Sequence, residues 1–172
     1  MILGLGALLA LAAGGYVWST DAGGEGMAKM TATVRRKFPR VPQLPTAELA
    51  AWLADKDRPQ PQLLDAREPD EFAVSHLHGA LRVSPDAPAS EVLARIDPAR
   101  PVVVYCSVGY RSSALAQRLI DAGGKDVRNL EGSIFAWANE GRPLEKDGRP
   151  AKAVHPYNSV FGRLLKPEYR AK

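Results

Sequence analysis

The segment PVVVYC, residues 101–106, constrains the fold more than any other part of the chain. Its apolar residues do not alternate with polar ones, which is typical of a strand covered on both faces in a parallel sheet. A helical pattern follows, with Ala116, Leu119, Ile120 and Gly123 at spacings of three, four and seven. The runs QLLDA and KDVRNLEG are further short strand candidates, and TAELAAWLADK and FAWANEG are helical. The alternation predicts an α/β domain with a parallel sheet and helices on both faces.

Cys106, at the end of that strand, is the one cysteine in 172 residues. A single cysteine excludes an intramolecular disulfide framework and a multi-cysteine zinc site. Ligands of open α/β sheets bind at the carboxyl ends of the strands, and the loop that leads into the next helix would point backbone N–H groups inward. Gly109 lets that loop turn, and Arg111 adds a fork of donors for an oxyanion. The loop therefore suits a nucleophilic cysteine that meets an anionic substrate, with a buried structural cysteine as the alternative.

The first twenty residues carry no charged side chain. As a helix they would be about 30 Å long, close to the thickness of a bilayer core. Tyr16 and Trp18 lie where an interfacial aromatic belt would place them. Because no Lys or Arg precedes the apolar run, we expect an uncleaved transmembrane anchor at residues 1–20. A cleaved secretory signal and a soluble buried helix are the alternatives.

Residues 21–42 contain several glycines and prolines and show no clear periodicity, which predicts a linker. The linker is basic through Lys29, Arg35, Arg36, Lys37 and Arg40. Positive charge after a span orients it with that side in the cytoplasm. We therefore expect a single-pass membrane protein whose catalytic domain, residues 43–148, lies in the cytoplasm.

The C-terminal tail, residues 149–172, has five apolar residues near one helical face. They are Val154, Tyr157, Phe161, Leu164 and Leu165. We expect the tail to pack back on the domain, and a helix lying on the membrane surface is the alternative. The net charge of +4 is modest, and aromatic residues do not alternate with the basic ones, so nucleic acid is not predicted as a partner.

Three blocks of the sequence together resemble a known family. LLDAREPDEFAVSHLHGALRV, VVVYCSVGYRSSALAQRL and NLEGSIFAWANEGRPL follow one another as do the markers of a single rhodanese-like sulfurtransferase domain, over residues 44–144. The resemblance implies a five-stranded parallel sheet with helices on both sides. It also implies an enzyme like thiosulfate sulfurtransferase, in which Cys106 takes a sulfane sulfur as a persulfide and passes it to a thiol or cyanide. The implied partners are a small-molecule sulfur donor and a thiol acceptor, without a cofactor.

The resemblance also assigns the site. Cys106 is the nucleophile, and Arg111 would bind the oxyanion part of thiosulfate. The substrate-binding cradle consists of Ser107, Val108, Gly109, Tyr110 and Arg111. Asp65 and Arg67 match the D-x-R marker after the first core strand, and they are expected, with Ser112, to support the site. His76 and His78 form an H-x-H pair without a third ligand, so no metal is predicted.

Two positions depart from the family, which often has glycine where Ser75 and Ser133 stand. Neither is expected to touch the loop chemistry. One alternative function is a cysteine phosphatase of the cell-cycle type, but those enzymes place arginine six residues after cysteine and Arg111 is five after Cys106. The other is a non-catalytic docking module at the membrane, against which the intact cysteine argues.

Overall fold

The computed structural model describes residues 22–172, and its centre is a parallel sheet of five strands. In chain order the strands are β1 Gln43–Leu44, β2 Gln62–Asp65, β3 Leu81–Arg82, β4 Val102–Tyr105 and β5 Val127–Leu130. Across the sheet the order is β1-β5-β4-β2-β3, so β4 lies in the middle. The predicted five-stranded parallel sheet is confirmed.

Within the described part of the chain, six α-helices surround the sheet. They are α1 Ala22–Lys37, α2 Thr46–Ala54, α3 Pro69–Val74, α4 Ala89–Leu93, α5 Tyr110–Asp121 and α6 Ser133–Asn139. A two-stranded antiparallel hairpin, β6 Leu144–Lys146 and β7 Arg149–Ala151, follows α6. Helix α3 begins at a proline and is stabilised by a capping box between Glu68 and Glu71.

The side chains of β4 point alternately into two hydrophobic cores. Val103 and Tyr105 belong to the core that contains Trp52 of α2 and Phe135 of α6. The residues between them, Val102 and Val104, belong to a second core with side chains of α5. Each fully buried side chain of this size contributes about 1.5–3 kcal/mol. Both faces of β4 are therefore covered, which explains why its sequence shows no polar alternation.

The segment predicted as a linker is not irregular, because most of it forms helix α1. Met27, Met30 and Val34 recur along one face and pack on the domain, with Val34 only 2% exposed. Gly26 allows a close approach, since a Cβ there would lie 2.7 Å from the Cδ2 of Leu164. Glycine weakens a helix by only about 1 kcal/mol, so tertiary packing outweighs the low propensity of this segment.

The C-terminal tail packs back on the domain as expected, but not as one helix. It forms two short 3-10 turns, Phe161–Leu164 and Pro167–Tyr169. Val154 and Leu165 are buried, and Asn139 of α6 donates a hydrogen bond to the carbonyl of Leu164 at 2.7 Å. The tail and α1 also contact each other, so two segments from outside the predicted domain meet on its surface.

The predicted anchor, residues 1–20, lies outside the described residues. Within residues 22–172, no helix combines the length and the apolar character needed to cross a bilayer.

Candidate functional site

Cys106 lies directly after the central strand, at the carboxyl end of the sheet. Gly109 is the N-cap of α5 and has a φ of +106°, a backbone conformation that glycine adopts without strain. Helix α5 begins at Tyr110, four residues after the cysteine. This short loop brings the first turn of a twelve-residue helix next to the sulfur.

The sulfur of Cys106 is buried and has two polar neighbours. The N–H of Gly109 donates to Sγ at 3.2 Å. The hydroxyl of Ser112 lies 3.4 Å from Sγ and 2.6 Å from the Oδ1 of Asn129, so its single proton serves one acceptor at a time. Cys106 is 1% exposed. Negative charge on the buried sulfur therefore has one constant hydrogen-bond donor, the Gly109 N–H, and a second when the Ser112 hydroxyl turns away from Asn129.

Ser133 contacts the loop, contrary to prediction. Its hydroxyl accepts a hydrogen bond from the N–H of Cys106 at 3.1 Å and donates to the carbonyl of Leu130 at 3.1 Å. Its φ of +53° is left-handed, a backbone conformation that glycine would adopt without strain. Ser133 therefore has a strained backbone, and its hydroxyl forms a hydrogen bond with the backbone N–H of Cys106.

Arg111 is bound by a carboxylate that the sequence analysis did not select. Its guanidinium donates to both carboxylate oxygens of Glu71, at 2.7 and 2.8 Å, and to the hydroxyl of Ser107 at 2.9 Å. Ser107 also donates to Glu71 at 2.8 Å, and Glu71 is only 2% exposed. Three of the five N–H donors of Arg111 thus hold the loop. The one sequence signal for Glu71 is its place at the third position of a capping box.

The Glu71–Arg111 pair is held in its charged form. Burial acts to raise the pKa of Glu71, but hydrogen bonds from Arg111, the Glu68 N–H and Ser107 outweigh it and lower that pKa below its ordinary value. Burial acts to lower the pKa of Arg111, but the hydrogen bond to Glu71 and electrostatic interactions with Cys106 and Glu71 raise it overall. The pair therefore stays ionised at neutral pH.

Asp65 and Arg67 form a second ion pair, which is fully buried rather than solvated. Arg67 donates to the Asp65 carboxylate from Nε at 2.9 Å and from Nη2 at 2.6 Å. The same Nη2 donates to the carbonyl of Ser75 at 2.6 Å, and the Ser75 hydroxyl donates to the carbonyl of Ala153. The ion pair thus connects the end of β2 with Ser75 at the end of α3. Through its hydroxyl, Ser75 in turn connects the end of α3 with the C-terminal tail. Ser75, unlike Ser133, lies away from the cysteine loop contacts.

The H-x-H pair faces one carboxylate. His76 and His78 both contact Glu145 of β6. Among residues 22–172, no three side chains of the types His, Cys, Asp or Glu gather as they would around a metal ion.

A cavity of about 390 Å³ opens in front of Cys106. Its lining consists of Met30, Thr33, Cys106, Ser107, Val108, Tyr110, Arg111, Tyr157 and Phe161. All five predicted cradle residues except Gly109 line it, and Gly109 instead binds the sulfur. Tyr157 covers the guanidinium of Arg111, with the ring centre 4.7 Å from the guanidinium carbon, and makes an edge-to-face contact with Phe161. Sequence reasoning missed these walls, because they come from α1 and the tail.

Comparison with known proteins identifies the family. Residues 46–140, more than half of the chain, match the model of the rhodanese-like domain. The chain belongs to the rhodanese-like family. Helix α1 and the C-terminal tail lie outside the part that matches, so two walls of the cavity come from segments outside residues 46–140.

Two curated relatives of this rhodanese-like chain are named as sulfurtransferases. The thiosulfate sulfurtransferase GlpE of Coxiella burnetii is 34% identical over 91 residues, which cover 53% of this chain and 83% of the relative. The probable adenylyltransferase/sulfurtransferase MoeZ of Mycobacterium tuberculosis is 36% identical over 97 residues, or 56% of this chain. The match spans only 24% of MoeZ. A solved rhodanese-like domain protein of Staphylococcus aureus has a TM-score of 0.53 at 26% identity and covers 63% of this chain and 100% of that one.

Proposed function

We propose that the protein is a sulfurtransferase that works through a persulfide on Cys106. The Cys106 thiolate attacks the sulfane sulfur of thiosulfate or a similar donor. The S–S bond of the donor breaks, and sulfite leaves with the bonding electron pair. A thiol or cyanide then attacks the outer sulfur of the persulfide, and the Cys106 thiolate is the leaving group.

The hydrogen bond from the Gly109 N–H to Sγ supports this proposal most directly. Because this hydrogen-bond donor already contacts the sulfur before the reaction, it stabilises negative charge there without any reorganisation of the loop. Sulfur transfer between thiolates also needs no proton shuttle, because both the attacking and leaving groups are anions. The names of the relatives support the same class of reaction.

The test is mass spectrometry of the full chain after incubation with thiosulfate. Cys106 should gain about 32 Da, the mass of one sulfur atom, and cyanide should remove it. Cys106→Ser should show neither the mass gain nor turnover while its circular dichroism remains unchanged. Robust transfer by Cys106→Ser would contradict the mechanism.

A phosphatase is the second candidate, because one similar solved structure, from Rhodopseudomonas palustris, is described as a possible tyrosine phosphatase. That chain is 25% identical with a TM-score of 0.51, and the match covers 70% of this chain and 94% of that one. The loop here is one residue shorter than in cell-cycle phosphatases, and its arginine is bound to Glu71. We expect negligible hydrolysis of aryl phosphates beside measurable sulfur transfer. Absence of both activities in the folded protein would favour the docking module.

Membrane attachment through residues 1–20, with the catalytic domain in the cytoplasm, is a separate proposal from the sequence. Deleting these residues should move an active protein into the soluble fraction. Orientation needs an exposed thiol, since Cys106 is buried. Val160 is 67% exposed, so Val160→Cys in a Cys106→Ser background supplies one accessible thiol. Rapid labelling by an impermeant reagent in intact cells would place the domain outside.

A further inference from the structure

The cavity in front of Cys106 has walls that the rhodanese-like domain does not supply. Met30 and Thr33 come from α1, and Tyr157 and Phe161 come from the tail. All four lie outside residues 46–140, which match the family. A molecule that approaches the sulfur through this cavity therefore meets side chains that belong to this chain's additional segments.

The electrostatics of the cavity do not suit a small dianion. Among the described residues that line it, Arg111 is the one cation. Its charge is balanced by the buried carboxylate of Glu71, and one face of its guanidinium lies under the ring of Tyr157. An oxyanion would meet a guanidinium whose charge is already offset by a bidentate ion pair and three of whose five N–H donors are already used. Arg111 is thus engaged in holding the loop.

The remaining walls are apolar and leave room beyond the sulfur. Phe161 and Tyr157 pack edge to face, with ring centres 5.6 Å apart, and Met30 and Val108 add further apolar surface. A volume of about 390 Å³ exceeds what the few atoms of thiosulfate fill. Cavities of this size and lining bind organic molecules by contact with aromatic and aliphatic side chains.

The backbone of Tyr157 supports a functional placement of its ring. Its φ is +65°, a left-handed conformation that few residues other than glycine adopt. The N–H of Tyr157 donates to the Nδ1 of His155 at 3.1 Å. Such strain is concentrated at ligand-binding positions, and here it places a ring above Arg111 at the cavity.

We infer that the cavity selects a sulfane sulfur carried by an apolar organic group, namely an organic persulfide or thiosulfonate, over thiosulfate, with Tyr157 and Phe161 as the specificity-determining residues. This inference rests on the proposed sulfur transfer. The Cys106 thiolate attacks the outer sulfur, and the bond between that sulfur and the carrier breaks. The carrier leaves with the electron pair as a thiolate or a sulfinate, and Cys106 retains the sulfur as a persulfide.

The experiment compares three donors in single-turnover loading of Cys106, followed by mass spectrometry of the full chain. Benzenethiosulfonate and methanethiosulfonate have the same reacting group and differ in the apolar group, and thiosulfate is the inorganic reference. The loading rate constant should be about tenfold higher for benzenethiosulfonate than for methanethiosulfonate, as expected for one well-packed aromatic contact. Thiosulfate should load more slowly than either.

Phe161→Ala should reduce the preference for the phenyl group to about threefold or less. Tyr157→Asn should do the same, and asparagine tolerates the left-handed backbone at that position. Val160→Ala is the matched control, because Val160 precedes Phe161 but is exposed and does not line the cavity. It should keep the full preference.

The outcomes separate the two proposals. Equal loading by all three donors, faster loading by thiosulfate, or an unchanged phenyl preference in both aromatic variants would overturn the inference and leave sulfur transfer intact. No mass gain on Cys106 with any donor would overturn sulfur transfer and the inference with it.

Discussion

Replacing Glu71 with glutamine tests whether the cysteine loop is held by a buried ion pair. The carboxylate of Glu71 accepts two hydrogen bonds from Arg111, one from Ser107 and one from the N–H of Glu68. Glutamine keeps the shape of the side chain but removes the charge and turns one acceptor into a donor. That donor would then face an N–H group of Arg111 at a position that is almost fully buried.

The magnitude follows from burial. Removing one partner of a buried ion pair costs about 3–5 kcal/mol. Glu71 is 2% exposed, but the side chain of Arg111 is 22% exposed and can recover part of its hydration. We therefore expect Glu71→Gln to lower the free energy of unfolding by about 3 kcal/mol, the lower end of that range. This is a large share of the 5–15 kcal/mol that is typical of a folded domain.

Urea unfolding of the full chain, followed by the fluorescence of the buried Trp52 and Trp137, measures this loss. Asp126→Asn is the matched control, because it also converts a carboxylate to an amide but breaks an exposed pair with Arg128. It should cause a smaller loss, since exposed pairs contribute little. Asparagine also suits the left-handed backbone of Asp126.

A double-mutant cycle with Arg111→Met completes the test. The two single changes should be strongly non-additive, with a coupling energy of about 1–3 kcal/mol, because each removes the same interaction. A loss below about 1 kcal/mol in Glu71→Gln, or additive effects in the cycle, would show that the pair does not hold the loop.

Four further predictions follow from the same contacts. The pKa of Glu71 is lower in the folded protein than its ordinary value of 4.5, so its contribution to stability should be complete above pH 4.5 and decline as the pH falls below that value. Urea unfolding midpoints measured against pH should show this decline, and Glu71→Gln should flatten it. Ser133→Ala should be less stable in urea than Ser133→Gly by about 1 kcal/mol, since both lose the bond to the Cys106 N–H but glycine relieves the positive φ; equal losses would exclude backbone strain. Gly124→Ala should lower the free energy of unfolding by about 1–3 kcal/mol, because its Cβ would lie 2.8 Å from a carbonyl oxygen of α5, and an unchanged urea midpoint would contradict this. Arg111→Ala should slow sulfur loading and sulfur release alike in single-turnover kinetics if it holds the loop, whereas an effect confined to loading would show direct donor binding.

Much of the fold was predictable because its signals are local. Three of these signals each involve only a few consecutive residues. They are the continuous apolar run at residues 102–105, the proline at the start of α3 and the glycine pair after α5. The position of Cys106 at a strand end followed from the same patterns. The family blocks added the sheet, which the structure confirms.

The linker segment was misread, and the conformation of the tail, though not its packing on the domain, was missed, because both depend on distant contacts. Residues 22–37 contain glycines typical of a linker. Their helix is stabilised by the packing of its apolar face on the surface of the domain. The tail has helical spacing, yet Gly162 lies where a Cβ would be 2.8 Å from the Cβ of Pro156, and the chain turns there as a 3-10 segment. Propensity is a weak prior, and tertiary contacts overrode it in both directions.

Residue order along the chain was enough to place Cys106 at the end of a strand, to find the loop after it and to predict the alternation of strands and helices. These features depend on neighbours within one or two turns of chain. Which side chains surround the sulfur became known only from the folded protein. Glu71 and Ser133 lie 35 residues before and 27 residues after Cys106, and parallel strands bring them together because their carboxyl ends share one edge of the sheet. Tyr157 and Phe161 arrive from still farther along the chain. A polar or aromatic residue in a loop is not part of a periodic pattern, so the sequence does not indicate which residue it will contact. Its contacts can be identified only in the folded chain.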